Sequence, residues 1–289
     1  MANIDVIRNT LDRVVSAVGE LPAAPSVISA AIRLTSNLES NITEVCHVLA
    51  SDQSLTARVL KLSNSPYYGR CKRVATLQEA LVVLGFQTVR SLIIATSAHG
   101  MFRQDDPNCP ESKLWRHSLA TAIAARLIAE HIRYPEKEEV FVGALLHDIG
   151  KLVLMQKMTG PYGKIINEVE RKATSFKNVE SQVLGFDHSD VASLLLEAWS
   201  FPGNLVQAVR RHHQPQSFVS TYPAPIAQVI NLANYMAKNL GVGFNDERVK
   251  NFSRLKSARI SALDKETLDP LFQKLHEQYQ TEVRIFEQV

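Results

Sequence analysis

Apolar residues recur along this chain at helical spacing, and this periodicity constrains the fold more than any other feature. Within Leu114–His131, for example, Leu119, Ile123, Leu127 and Ile128 form a single stripe, as expected for the buried face of a helix. No segment shows a convincing alternation of apolar and polar residues, the pattern that predicts a half-buried strand. The sequence therefore predicts an all-α protein.

The segment Arg103–Pro110 is polar, contains prolines and lacks periodicity, so it is the best candidate for a module boundary. We expect one helical module over residues 1–106 and a second over residues 107–289 that includes C-terminal helices. The predicted helices are Val6–Val18, Val27–Leu34, Glu44–Ala50, Leu55–Ser63, Leu77–Leu84, Thr88–His99, Leu114–His131, Glu138–Met155 with a bend or end near Gly150, Tyr162–Arg171, Val191–Trp199, Asn204–His212, Ile226–Leu240, and one or two within Ser261–Val289.

Composition excludes several classes of protein. The formal net charge is only +3, from 32 basic and 29 acidic residues that are mixed along the chain, so nucleic-acid binding is not expected. The three cysteines, Cys46, Cys71 and Cys109, lack metal-ligand spacing and are typical of free thiols in a reducing compartment. The sequence starts without a signal-peptide pattern and has no run of about 18 apolar residues. We therefore expect a cytoplasmic protein without membrane contact.

His147 and Asp148 lie side by side at the end of the apolar run Val140–Leu146. Burying two adjacent ionisable groups is costly unless a partner compensates them. A divalent ion is one such partner, because neutral imidazole and carboxylate are both metal ligands. The alternative is a structural pair in which Asp148 orients His147, and this alternative is the more common one for an isolated His-Asp pair.

Four further histidines favour a metal site. They are His117, His188 and the pair His212-His213, and each lies near a predicted helix terminus or loop, where several helices can converge. Iron, manganese, nickel or zinc would suit such ligands.

Each of these histidines also has an ordinary structural interpretation. His117 could pack on Trp115, His188 could belong to a helix N-cap, and one histidine of the pair could face solvent. Lys151 and Arg210-Arg211 could contact phosphate, although a solvated helix face is the interpretation that we favour for them.

The spacing of His117 and of His147-Asp148, in the context His-Asp-x-Gly-Lys, resembles the HD superfamily of metal-dependent phosphohydrolases. Glu180, the segment Gly185–His188 and His212-His213 resemble the branch shared by HD-GYP phosphodiesterases and HDOD domains. The segments of the first module that are similar to the HDOD signature are Leu21–Pro25, Asp52–Arg58, Leu62–Ser65 followed by Tyr68-Gly69, and Leu77–Gly85.

The resemblance implies a bacterial signal-transduction module that is non-catalytic or only vestigially enzymatic and that binds protein partners, with a nucleotide as a further expected ligand. Two departures from the catalytic pattern support this interpretation. Asn234 stands where the HD superfamily has a final aspartate, and His212-His213 is followed by Gln214–Gln216 rather than by a Gly-Tyr-Pro loop. A neutral amide oxygen contributes no negative charge to a metal site.

The alternative is an active metal-dependent phosphohydrolase that acts on nucleotides or cyclic dinucleotides. In that case the metal ligands would come from His117, His147, Asp148, His188, His212 and His213, with Asn234 at the expected aspartate position. Asp148 and Lys151 would be the catalytic residues, and Lys151 would stabilise developing charge.

Overall fold

A computed structural model describes residues 14, 17–35, 53–66, 68, 74–102, 106, 108–214, 226–245, 247–248, 255, 257–258 and 263–287. Within these residues the secondary structure is helical and contains no strand, which confirms the predicted all-α class. The predicted helix Glu44–Ala50 and most of Val6–Val18 lie outside the described residues, as do Tyr67, Cys46 and Cys71.

The helices are numbered here in chain order. They are α1 (Ser26–Thr35), α2 (Gln53–Ser63), α3 (Leu77–Leu84), α4 (Phe86–Phe102), α5 (Pro110–His131), α6 (Lys137–Leu146), α7 (Ile149–Lys157), α8 (Thr159–Lys172), α9 (Phe176–Leu184), α10 (His188–Ala198), α11 (Gly203–Arg210), α12 (Ile226–Asn239) and α13 (Lys265–Glu287). None of these described helices is both long enough and apolar enough to cross a membrane.

Local capping explains where several helices begin. Thr76 precedes α3, and its hydroxyl accepts a hydrogen bond from the backbone N–H of Glu79 at 3.1 Å, which satisfies an otherwise unpaired donor of the first turn. Asp187 caps α10 in a reciprocal arrangement with Asp190. This cap makes His188 the first residue of α10.

The long helix α5 lies at the centre of the second half of the chain and packs against α6, α12 and α13. α10 packs against α7 and α11, while α4 packs against α1, α2 and α6. Buried apolar side chains form one cluster that runs from Val14 to Phe286 and continues across residue 106. α4 thus connects the two halves of the described chain through a shared core.

One predicted helix is divided in the structure. Glu138–Met155 was expected to bend or end near Gly150, but α6 ends at Leu146 and α7 begins at Ile149. The turn between them consists of His147 and Asp148. The helix thus breaks near Gly150 as predicted, two to three residues before it, and this position takes both ionisable side chains out of the regular helix.

Candidate metal centre

The turn formed by His147 and Asp148 lies at the centre of a cluster of buried polar side chains. α5 contributes His117, α10 begins with His188, and the turn after α11 contributes the adjacent pair His212-His213. All six side chains are buried except that of His213, which is half-buried. The structure thus brings together the residues that the sequence predicted as a site.

A glycine permits the close helix approach on which this convergence depends. A Cβ atom on Gly150 would lie 2.0 Å from the backbone oxygen of His188 and 2.8 Å from the backbone nitrogen of Ala192. Only a residue without a Cβ atom allows α7 to approach α10 so closely. This contact holds the start of α10, and with it His188, beside Asp148.

One oxygen of the Asp148 carboxylate faces the histidines of α10 and of the turn after α11. Asp148 Oδ1 lies 3.1 Å from His188 Nε2 and 3.8 Å from His212 Nε2. His213 Nε2 lies 2.8 Å from His188 Nε2. Both members of the His212-His213 pair therefore reach the site, whereas one of them was expected to face solvent.

The other oxygen faces a different set of side chains. Asp148 Oδ2 lies 2.7 Å from Lys151 Nζ, 3.3 Å from His147 Nε2 and 3.6 Å from His117 Nε2. Lys151 is only 4% exposed, and its ammonium group lies 4.3 Å from the centre of the Phe176 ring. The prediction that Lys151 belongs to a solvated face was therefore wrong, because it forms a buried ion pair instead.

Backbone carbonyls fix the orientation of two imidazole rings. His147 Nδ1 lies 2.7 Å from the carbonyl oxygen of Ala144, and His212 Nδ1 lies 2.7 Å from that of Val209. Because a carbonyl can only accept a hydrogen bond, each Nδ1 carries a proton and each Nε2 is the nitrogen that faces the site. Burial lowers the pKa of His212 well below its ordinary value, which keeps that ring neutral.

A carboxylate orients a third ring. Glu180, fully buried on α9, accepts hydrogen bonds from His188 Nδ1 at 2.5 Å and from the His188 backbone N–H at 2.8 Å. Its second oxygen accepts from the Tyr162 hydroxyl at 2.5 Å. Burial lowers the pKa of His188, but the carboxylates of Glu180 and Asp148 outweigh this effect and raise it to about 9. A carboxylate behind a metal-binding imidazole is a common arrangement in metal sites.

Several buried polar atoms of the cluster have no aligned hydrogen-bond partner. They are His147 Nε2, His212 Nε2 and Asp148 Oδ1. Because leaving such atoms unpaired inside a protein is costly, they indicate that a further group is accommodated there. Nitrogen and oxygen donors of this kind suit zinc, iron, manganese or nickel. The residues therefore fit a divalent ion.

The potential ligands form two groups. In each group, three side chains offer ligand atoms that all lie within 4.8 Å of one another. One group consists of His188, His212 and His213, and the other of His117, His147 and Asp148. That these residues hold a metal remains a prediction.

Some sequence-based interpretations need correction. His117 was considered as a packing partner of Trp115, but the Trp115 ring packs against His99, Phe102 and Phe286. His99 itself is buried, with its Nδ1 3.1 Å from Arg58 Nη1.

The basic pair Arg210-Arg211, at the end of α11, lies in a different environment from Lys151. Arg210 is half-buried, and its guanidinium lies 3.6 Å from Asp190 Oδ1. An ion pair with Asp190, in the first turn of α10, thus accounts for this side chain.

Two residues of the cluster received no role from the sequence. Glu180 was noted only as part of a motif, since a carboxylate eight positions before a histidine has no spacing that is specific to a site. Tyr162 gave no signal at all, because α8 and α9 bring it to Glu180 only in the folded chain.

Comparisons with known proteins agree with this architecture. A family model described as the HDOD domain matches residues 21–215. An uncharacterized protein of Treponema pallidum (strain Nichols) is 21% identical over 266 residues, which cover 89% of this chain and 50% of that protein. This chain therefore spans about half the length of that relative.

Two crystal structures have a similar fold. An HDOD domain protein of unknown function from Geobacter sulfurreducens matches with a TM-score of 0.81 and 24% identity, over 97% of each chain. A candidate phosphohydrolase from Shewanella amazonensis SB2B matches with a TM-score of 0.75 and 25% identity, over 96% of this chain and 97% of that one.

Proposed function

The chain belongs to the HDOD domain family, and from this premise we propose that it is a signal-transduction module that acts through protein partners. We propose further that its buried histidine–aspartate cluster holds a divalent ion. In this proposal the ion maintains the shape of the module, and the chain does not turn over a phosphoester. The convergence of five histidines on Asp148 is the observation that carries the proposal.

Burial favours a structural ion over a catalytic one. His147, His188 and His212 are each 0% exposed, and Asp148 is 1% exposed. A hydrolytic metal centre keeps a position open for water and substrate, whereas a structural centre is enclosed by its ligands. Asn234 adds no charge that would help to hold a second ion or a reacting phosphate.

The test begins with elemental analysis of protein purified without chelators. We expect near-stoichiometric zinc, iron, manganese or nickel in the native chain and a loss of at least tenfold in the Asp148→Ala variant. A panel of nucleotides and cyclic dinucleotides then tests for hydrolysis. A metal-free chain that takes up none of these four ions would contradict the proposal for the metal. Robust hydrolysis that Asp148→Ala abolishes would contradict the non-catalytic assignment.

An active phosphohydrolase is the second candidate function. It is favoured by the buried position of Lys151 beside Asp148 and by the similarity to the Shewanella protein described above. A bound ion would supply Lewis acidity toward a phosphoryl oxygen. The Lys151 ammonium would then bind the charged phosphate oxygens, and the enclosed histidines would exclude bulk water from it. This candidate requires that the site open to admit a substrate.

A further inference from the structure

The two oxygens of Asp148 divide the cluster into two halves. The Oδ1 half comprises Asp148 Oδ1 with His188, His212 and His213, and the Oδ2 half comprises Asp148 Oδ2 with His117 and His147. Each half offers enough ligand atoms for one ion. The two halves differ, however, in the charged groups that already lie beside them.

A cation already lies in the Oδ2 half. Lys151 Nζ is 2.7 Å from Asp148 Oδ2, the same oxygen that faces the two histidines of that half. The side chain is fixed by burial and by the Phe176 ring beneath its ammonium group. A divalent ion bound to this oxygen would therefore lie next to a positive charge in a site shielded from water, where repulsion is strong.

In the Oδ1 half the positive charge is on a ligand, His188, whose proton would be released when an ion binds to Nε2. Glu180 lies directly behind His188 and adds a negative charge there. Asp148 Oδ1 and His212 Nε2 are both buried without an aligned hydrogen-bond partner. Lys238 acts electrostatically on both His117 and His213, and Lys151 acts on both His117 and His188. What distinguishes the halves is that Lys151 contacts Asp148 through Oδ2.

We infer that this chain binds a single divalent ion in the Oδ1 half, and that the ammonium group of Lys151 takes the place of a second ion in the Oδ2 half. The inference rests on the proposed metal binding and specifies where the ion lies and how many ions bind. It also gives Lys151 a role, replacement of a second ion, that does not depend on a bound substrate.

The first experiment measures metal stoichiometry in Lys151→Met, with Lys157→Met as the matched control. Lys157 lies on the same helix but is exposed, so its loss leaves the cluster intact. We expect one ion per chain in the native protein and in Lys157→Met, and two in Lys151→Met at saturating metal. Two ions in the native protein, or one in Lys151→Met at saturating metal, would overturn the inference.

The second experiment locates the ion without relying on Lys151. His212→Gln and His117→Gln each remove one imidazole, one from each half, and circular dichroism verifies that both variants fold. We expect His212→Gln to reduce metal affinity at least a hundredfold and His117→Gln to reduce it less than fivefold. The reverse order would overturn the inference but leave the proposed metal binding intact, whereas a native chain without metal would overturn both. Should His212→Gln fail to fold, His213→Gln, at a half-buried position, replaces it. Should His117→Gln fail to fold, the stoichiometry of Lys151→Met decides.

Discussion

A single residue, Gly150, determines whether α7 and α10 can approach closely enough for this cluster to form. The sequence placed it near the predicted break of a helix, yet in the structure its importance is the missing Cβ atom. The backbone of His188 occupies the space where that atom would lie. A glycine in a helical pattern gives no indication of which neighbour approaches it, so this role required the folded structure.

Gly150→Ala should therefore destabilise the protein by about 1–3 kcal/mol, because the added methyl group forces α7 and α10 apart. The same displacement should weaken metal binding at His188. Gly163→Ala is the matched control, since nothing lies within 4 Å of its Cβ position in α8. Alanine is a better helix former than glycine by about 1 kcal/mol, so urea unfolding should show a small increase in the free energy of unfolding for the control. Equal stability of the two variants would refute the packing argument.

At the scale of elements, the sequence predicted most of the helices. α3 was predicted with the bounds Leu77–Leu84 that the structure has, because Thr76 and Gly85 flank a clear periodic run. α9 (Phe176–Leu184) was missed. The histidines of the cluster were predictable from residue type and helix ends. Glu180 lies on the missed helix, and its role depends on contacts with two other helices.

The last helix, α13, contains a buried acid that should make its packing sensitive to pH. Glu282 is 3% exposed, and one of its oxygens has no hydrogen-bond partner. Burial raises the pKa of Glu282 to about 7, with Arg126 of α5 lowering it and Glu138 of α6 raising it. The folded protein thus holds this proton more tightly than the unfolded chain does. Its stabilising effect is complete below the ordinary pKa of 4.5 and is lost as the pH rises through about 7.

Glu282→Gln, which mimics the protonated acid, should remove this dependence. Between pH 5 and pH 8 the free energy of unfolding of the native chain should fall by roughly 2 kcal/mol more than that of the variant. Glu277→Gln, at an exposed position of the same helix, should behave like the native chain. Parallel pH profiles for all three proteins in urea unfolding would show that Glu282 is not the titrating group.

At the scale of the whole molecule, one apolar core extends across residue 106, where the sequence suggested a module boundary. A division of the chain there remains a prediction. The cluster around Asp148 draws its side chains from helices and turns distributed over nearly a hundred residues of sequence, from His117 to His213. An ion bound there connects distant parts of the folded chain. The unfolded chain does not bring these ligands together and so cannot bind the ion in the same way.

Metal should therefore stabilise the entire fold. At a free concentration of 100 times Kd, an ion that binds only the folded chain adds about 2.7 kcal/mol, which corresponds to a rise in Tm on the order of 5–10 °C. Differential scanning calorimetry with and without a chelator measures this shift. Asp148→Ala should show no shift, and an equal shift in that variant would place the bound ion elsewhere.

Helix α10 has one end in this cluster and the other beside the start of the described chain. Its first residue is His188, and Trp199, which caps its last turn, donates an indole hydrogen bond to the carbonyl of Pro22 at 2.9 Å. The 11 residues of α10 span about 16 Å. A displacement of one end of α10 would move the other end as well, and thermodynamic linkage makes such a coupling reciprocal. A protein bound to the Leu21–Pro25 segment and an ion bound to His188 would thereby each change the affinity of the chain for the other.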